Sequence, residues 1–366
     1  MRKTLKIVVT GTRGIPNIQG GIETHCEELF PRIAKYGLDI ILVRRSDYVT
    51  SSITYPGIKY KDIKVPKITG LESAIHTFLG VLYAKKIKAD IIHIHAIGPS
   101  IVVPFAKMLG LKVVVTHHGP DYDREKWGKF SKFILKTGER FAARYADDII
   151  VISTVISDIL KNKYKRTKNV HLIYNGVNVP EKVRSNSYLS SLGIIPQKYI
   201  LAVGRFVEEK NFDKLIDVCV KLKDFSPCQL VIAGDADIET TYSRELKEKA
   251  KLNDVILTGM VKNEKLAELF SHAALFVLPS SHEGLSLSLL EAMSYKRKVV
   301  VSDIPANLAV NLDKESYFNL NAPDDLQNRI LYQLNLTSSD KEYNLSMYDW
   351  DNIAIKTICV YKEEVC

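Results

Sequence analysis

The sequence predicts an α/β protein with parallel strands, long enough for two domains of ordinary size. Short apolar runs alternate with longer amphipathic segments along most of the chain, the pattern of strands joined by crossover helices. Those runs are apolar throughout instead of at every second residue, as in strands buried on both faces. The chain has 366 residues, more than a single hydrophobic core usually serves.

Bulk properties narrow the class. With 46% hydrophobic and 25% charged residues and a mean hydropathy of −0.04, the composition is that of a soluble globular protein. No signal peptide or stop-transfer pattern is expected, because the first residues lead directly into a strand. The most apolar region, 97–116, is broken by Pro99, Pro104, Lys107 and Lys112, which argues against a transmembrane helix. Cys26, Cys219, Cys228, Cys359 and Cys366 have no CxxC or metal spacing, so reduced cytoplasmic thiols are expected. The net charge of +9 is uneven: residues 1–170 carry 29 Lys+Arg against 15 Asp+Glu, and residues 171–366 carry 22 against 27. A basic first half fits a one-sided anionic partner, either a membrane surface or nucleic acid. A solvated lysine-rich surface would give the same count. No nucleic-acid-binding motif is present, and the basic stretches lack a base-stacking pattern.

In chain order, residues 5–10 (L-K-I-V-V-T) form a strand that runs into G-T-R-G-I-P-N-I-Q-G-G-I-E-T-H-C-E-E-L. A glycine-rich loop before a helix starting near Ile22 lets backbone N–H groups approach an anion. It is too long for G-x-G-x-x-G and lacks the lysine of a P-loop, so a nicotinamide-dependent oxidoreductase is disfavoured and a plain surface turn stays open. Residues 40–43 are a strand, 71–84 (with His76) a helical segment, and 90–95 (D-I-I-H-I-H) another strand. His93 and His95 share a strand face, but no third ligand stands at metal spacing, which favours a core or cleft-lining role. Residues 112–116 form the next strand, ending in His117-His118-Gly119-Pro120. A histidine at the carboxyl end of a parallel strand points into the ligand crevice, where it could serve a hydroxyl near neutral pH. An N-cap or core role is the alternative. Asp121-Tyr122-Asp123 and Asp235-Ala236-Asp237 match a D-x-D string that can hold a metal–diphosphate pair, a match that arises easily by chance. Arg124, Lys126, Lys129, Lys132 and Lys136, with Trp127, Phe130, Phe133 and Ile134, form a basic amphipathic stretch. It can lie on anionic lipid, or pack by its aromatic face with the lysines in water. Residues 146–153 are the last strand of the first half, and H-L-I-Y-N-G-V-N-V-P follows, with Asn175-Gly176 at a turn.

The second half opens with a strand at 199–203 and the loop G-R-F-V-E-E-K-N. Arg205 and Lys210, five apart across a strand-to-helix loop, can converge on one anion as fork and point charge, or can pair with Glu208 or Glu209. Strands at 230–234 and 255–259 follow, then 274–278 and 298–302. Between the last two lies S-S-H-E-G-L-S-L-S-L-L-E-A-M-S, a loop opening a helix. Glu283 and Glu291 are eight apart, roughly 100° per residue on a helix, so they fall within about 80° of each other, the first in the loop before the helix and the second two turns along the same side. Free N–H groups near Gly284, Leu285 and Ser286 would favour an anion between the two carboxylates. Such a pair suits a sugar–diphosphate–ribose ligand. A capped amphipathic helix with a solvated glutamate at each end gives the same spacing. Residues 348–361, with Trp350, read as a terminal helix.

The E-x(7)-E string with its flanking E-G-L-S, the later S-D-I-P-A-N, and G-T-R-G-I-P-x-x-x-G-G-x-E-T resemble the retaining family-4 glycosyltransferases of GT-B fold. The last string is similar to a bacterial subset that builds surface polysaccharides. The resemblance implies two Rossmann-like domains facing across a cleft: 1–174 with a crossing helix, 346–366, for the acceptor, and 175–345 for the nucleotide-sugar. It implies that Gly20 and Gly21 face the donor diphosphate and that Arg205 and Lys210 hold it. Glu283 would contact the sugar hydroxyls, Glu291 the ribose, and the region of Met260 and Val261 the base. Alignment by the strand makes His118, not His117, the catalytic-site histidine. The family's usual glycine after the lysine is Asn211 here, a residue that tolerates positive φ. No metal and no cofactor are implied. The expected reaction is retaining transfer from a nucleotide-sugar, a UDP-sugar first among them, to a lipid-linked glycan acceptor, in the cytoplasm at the inner face of a bacterial inner membrane. An epimerase of the same architecture is the alternative, and would turn over donor without acceptor.

Overall fold

The computed structural model describes residues 4–49, 52–66, 71–123, 128–222, 228–322, 324–336 and 340–365. The chain divides into two compact units, Met1–Gly176 with Tyr348–Cys366, and Val177–Met347. The first holds strands β1 (Lys6–Thr10), β2 (Asp39–Arg45), β3 (Ile58–Ile63), β4 (Ile91–His95), β5 (Lys112–His117), β6 (Asp148–Val151) and β7 (Val170–Leu172). Their order across the sheet is β3-β2-β1-β4-β5-β6-β7, every neighbouring pair parallel. Ile7–Val9 and Val113–Val115 are fully buried, because crossover helices cover both faces. Each such side chain contributes about 1.5–3 kcal/mol by leaving water.

Two strands carry no apolar run. β3 (I-K-Y-K-D-I) alternates at one edge of the sheet. β7 is three half-exposed residues at the other edge, so β6, expected as the last strand of this half, has one more beside it. Edge strands bury one side only, and their sequences lack the signal that marks the central ones.

The second unit holds β8 (Tyr199–Val203), β9 (Gln229–Ala233), β10 (Ile256–Gly259), β11 (Leu275–Leu278), β12 (Val299–Ser302) and β13 (Tyr317–Phe318), in the order β10-β9-β8-β11-β12-β13 and again all parallel. Phe206, Phe212, Leu215, Ile216, Ile232, Val277 and Ile330 form the middle of one buried cluster on this sheet.

The terminal helix, Trp350–Lys362, packs in the first unit. Asp349 caps it by accepting from the Asn352 amide at 2.8 Å. Arg32 on the helix Gly21–Ala34 pairs with Asp351 at 3.2 Å. The Trp350 ring lies on Gly176, where a Cβ would come within 2.4 Å of it. Cys26, Cys219 and Cys228 are free thiols, but Cys359 is disulfide-bonded, against the expectation that all five are reduced.

Candidate active site

In an open parallel sheet, a ligand crevice forms beyond the carboxyl ends of two adjacent strands from which the chain departs in opposite directions. In the second unit these strands are β8 and β11. Their loops carry Arg205 and Lys210 on one side and His282 to Ser286 on the other. In the first unit they are β1 and β4, beside the glycine-rich loop and His95.

The loop after β8 is held in place at both ends. Gly234 has φ +145°, and a Cβ there would sit 1.8 Å from the Gly204 carbonyl, so the backbones after β8 and β9 touch only because Gly234 lacks a side chain. The Phe206 amide donates to the Asp235 carbonyl at 3.1 Å. Further on, Asn211 takes φ +49°, so the turn survives the replacement of glycine, and its Nδ2 donates to the Pro279 carbonyl at 2.9 Å. The Ser281 amide donates to the Glu209 carbonyl at 2.8 Å. These bonds stitch the β8 loop to the β11 loop and bring Lys210 Nζ to Glu283 Oε1 at 2.5 Å. Only 15% of the lysine side chain and 12% of the glutamate side chain are exposed. Arg205 pairs with Asp237 Oδ2 at 3.0 Å, and Asp235 with Lys247 at 2.8 Å. Both cations therefore have partners other than Glu208 and Glu209, and the second D-x-D string is taken up by ion pairs. The first string is a single 3₁₀ turn whose Tyr122 is buried.

The helix after this loop starts later than the sequence suggests. It spans Leu287–Ser294, with Ser286 as N-cap accepting from the Leu289 amide at 3.4 Å. Gly284 and Leu285 lie in the loop, and Glu283 is off the helix, so the helical angle between Glu283 and Glu291 does not apply. The S-D-I-P-A-N string has a structural reason as well. Ser302 Oγ donates to the Ser280 carbonyl at 2.5 Å, and Asn307 Nδ2 donates to both the carbonyl and Oγ of Ser302 at 3.0 Å. It braces the loop that carries Glu283.

In the first unit, Glu23 organises the glycine-rich loop. Its buried carboxylate accepts from Thr12 Oγ1 at 3.1 Å and the Arg13 amide at 3.0 Å. Gly20, the N-cap, has φ +143°, and a Cβ there would meet Glu23 Oε2 at 2.0 Å; Gly21 opens the helix. Past β5, His117 and His118 part ways. His117 accepts from the Gly119 amide through Nδ1 at 3.1 Å, so its Nε2 carries the proton and donates to Glu139 at 3.0 Å. Glu139 is fully buried and also accepts from Lys163 at 2.7 Å and Tyr164 at 2.6 Å. Burial alone would raise its pKa, but His117, Lys163 and Tyr164 hold it down at about 2. His118 instead meets His95, Nε2 to Nδ1 at 3.0 Å, with the His25 ring 4.9 Å from it.

Two family models divide the chain between them. Residues 19–181 match "Glycosyltransferase Family 4" and residues 191–347 match "Glycosyl transferases group 1". The chain is a glycosyltransferase of the family-4 type. A glycosyltransferase from Methanocaldococcus jannaschii, MJ1607, is 24% identical over 98% of both chains. Among solved structures, sucrose-phosphate synthase from Thermosynechococcus elongatus superposes with a TM-score of 0.82 at 18% identity, covering 99% of each chain. Anabaena HepE in complex with UDP-glucose gives 0.77 at 16% identity, over 98% of this chain and all of that one. With the two parallel sheets, these likenesses establish the GT-B fold.

Sequence reasoning missed several residues that shape the glycosyltransferase's two crevices. His25 lies one helical turn after Gly21 and faces His95 and His118, so the third histidine that strand spacing did not supply comes from another element. Glu23 and Glu139 escaped because their partners are distant in sequence, as did the pairing of Asp237, named only within a D-x-D string, with Arg205. Glu291 lies within the helix Leu287–Ser294, and Val261 follows β10 just before the helix Asn263–His272. Of the basic amphipathic stretch, Arg124, Lys126 and Trp127 lie outside the described residues. In the helix Lys129–Tyr145, Phe130 and Phe133 are 66% and 67% exposed, beside exposed Lys129 and Lys136, while Ile134 and Leu135 face inward. This helix does not pack by its aromatic face. Among the described residues, no helix is long and apolar enough to cross a membrane.

Proposed function

We propose that this glycosyltransferase moves a sugar, with retention at the anomeric carbon, from a nucleotide-sugar to a lipid-linked glycan acceptor in cell-surface polysaccharide synthesis. The observation that carries the donor side is the contact of Lys210 with Glu283 at the β8–β11 switch point, with Arg205 in the same loop. A nearly buried lysine beside a carboxylate can hold a phosphate oxygen while the carboxylate accepts from sugar hydroxyls. In this reading Arg205, Lys210 and the amides of Gly284, Leu285 and Ser286 carry the diphosphate charge, and Gly20 and Gly21 take part in binding it. Glu291 binds the ribose, and the backbone near Val261 the base. His118 supports the reacting sugar. The leaving phosphate oxygen takes the acceptor's proton on the same face, so the departing charge is neutralised by side chains and backbone, and the reaction needs no metal. The UDP-glucose complex of the HepE structure supports a UDP-sugar as the first donor to try.

The acceptor side rests on the exposed Phe130 and Phe133 among lysines, which suit insertion at an anionic lipid surface, at the inner face of a bacterial inner membrane. The test is thermal stabilisation by UDP, GDP, dTDP and ADP at millimolar level without metal. One of them is expected to raise the melting temperature, and Arg205→Ala and Glu291→Ala to abolish the shift. A shift that both variants retain would overturn the site.

A further inference from the structure

The first unit gathers four histidines below the β1–β4 crevice. His93 is satisfied on both nitrogens, by Tyr361 Oη at 2.6 Å and Thr116 Oγ1 at 2.7 Å. The other three are not. His25 donates from Nδ1 to Asn175 Oδ1 at 3.0 Å, and its Nε2 is buried with no hydrogen-bond partner. His95 turns Nδ1 to His118 Nε2, and its own Nε2 is likewise buried without a partner. One ring nitrogen from each of His25, His95 and His118 lies within 4.8 Å of the others. Two buried imidazoles with idle nitrogens in one small space are uncommon, since such groups normally find partners.

We propose that His25, His95 and His118 form a three-imidazole site for a borderline divalent transition ion, of which Zn²⁺ is the type. Two nitrogens bound at about 2.0–2.1 Å to a tetrahedral ion stand about 3.3 Å apart, close to the 3.0 Å between His95 and His118. His25 has to close in, and His95 and His118 have to give up the proton they share, His95 binding through Nδ1 and keeping its proton on Nε2. The bond of His25 to Asn175 fixes the tautomer that leaves its Nε2 bare, the outer-shell arrangement that orients metal-bound histidines. Imidazole binds a metal ion in its neutral form, and the burial of His25 and His95 disfavours the charged one. His25 and His95 are sealed in, while His118 is part-exposed and leaves the fourth position to water or an anion. Three nitrogens without a carboxylate favour Zn²⁺, Ni²⁺, Co²⁺ or Cu²⁺ over Mg²⁺ or Mn²⁺. Transfer itself needs no ion in the reading above. An ion here would capture His118 and slow transfer, a consequence that rests on that reading, whereas the site does not.

The experiment titrates chelator-stripped full-length protein with Zn²⁺ against a chromophoric chelator. One equivalent is expected to bind, with affinity lowered at least tenfold in His25→Ala and in Asn175→Ala, each checked for unchanged circular dichroism. Absence of a stoichiometric equivalent, or wild-type affinity in both variants, would overturn the site. Where a variant does not fold, Co²⁺ added to the wild type decides: intense visible bands of a four-coordinate ion support the site, and a pale six-coordinate spectrum overturns it. Binding that leaves transfer unchanged would support the site and remove His118 from the reaction.

Discussion

The pair Lys210–Glu283 separates a structural role from a catalytic one, because both charges are almost buried and each is the other's partner at 2.5 Å. Lys210→Ala leaves a carboxylate in a poorly hydrated place. Removing one partner of a fully buried pair costs about 3–5 kcal/mol, and the residual exposure here brings the expectation to about 2–3 kcal/mol. For a domain of this size that lowers the melting temperature by roughly 5–10 °C. Glu283→Ala should cost a similar amount. The double variant strands neither charge, so its loss should fall short of the sum by about 1–3 kcal/mol. Turnover should behave otherwise. If Lys210 stabilises the departing diphosphate, each single variant loses at least tenfold, and about 10²–10³ if it compares with one lost oxyanion donor. The double variant regains none of it. The assay is steady-state transfer beside thermal melts of all four proteins. Recovery of turnover in parallel with stability would refute the reasoning and leave the pair as a structural bridge.

Asn211→Ala should destabilise by about 2 kcal/mol, since it loses the bond to Pro279 and keeps positive φ; Asn211→Gly should lose about half that in denaturant titrations. Glu139 titrates at about 2 when folded and near 4.3 when unfolded. Its contribution, on the order of 3 kcal/mol, is present above the unfolded pKa and is lost as pH falls from about 4.3 towards 2. Urea melts at stepped pH should show this loss in the wild type and little of it in Glu139→Gln. Phe130→Ala with Phe133→Ala should weaken binding to anionic vesicles at least tenfold, read by co-sedimentation, with melting unchanged because both rings are already exposed. EDTA should leave transfer intact, and a metal-dependent rate would refute the metal-free reading.

The central strands and both crevice loops were legible in the sequence because parallel strands buried on both faces read as unbroken apolar runs. The edges of the first sheet were not, since β3 alternates and β7 has three residues, whereas the edge strand β10 was read at 255–259. The start of the helix after Glu283 was misread by a few residues because E-G-L-S supplies no N-cap before Ser286, and glutamate, glycine and leucine fit a loop as well as a first turn. Asn211 could be read correctly because a backbone conformation is a local property. The partners of Lys210, Arg205 and His95 could not, because spacing within one element says nothing about a side chain arriving from another.

The two crevices share a topology and differ in chemistry. The β8–β11 loops hold full charges, and each cation described there has an anion in contact: Lys210 with Glu283, Arg205 with Asp237. The β1–β4 side holds His25, His93 and His95, deeply buried and kept neutral by that burial. An imidazole can be buried because it can shed its proton; a guanidinium cannot, and a lysine sheds its proton only at a large pKa shift. The charged crevice therefore suits a diphosphate that can exchange with the resident carboxylates. The neutral one suits uncharged hydroxyls, or a metal ion that brings its own charge.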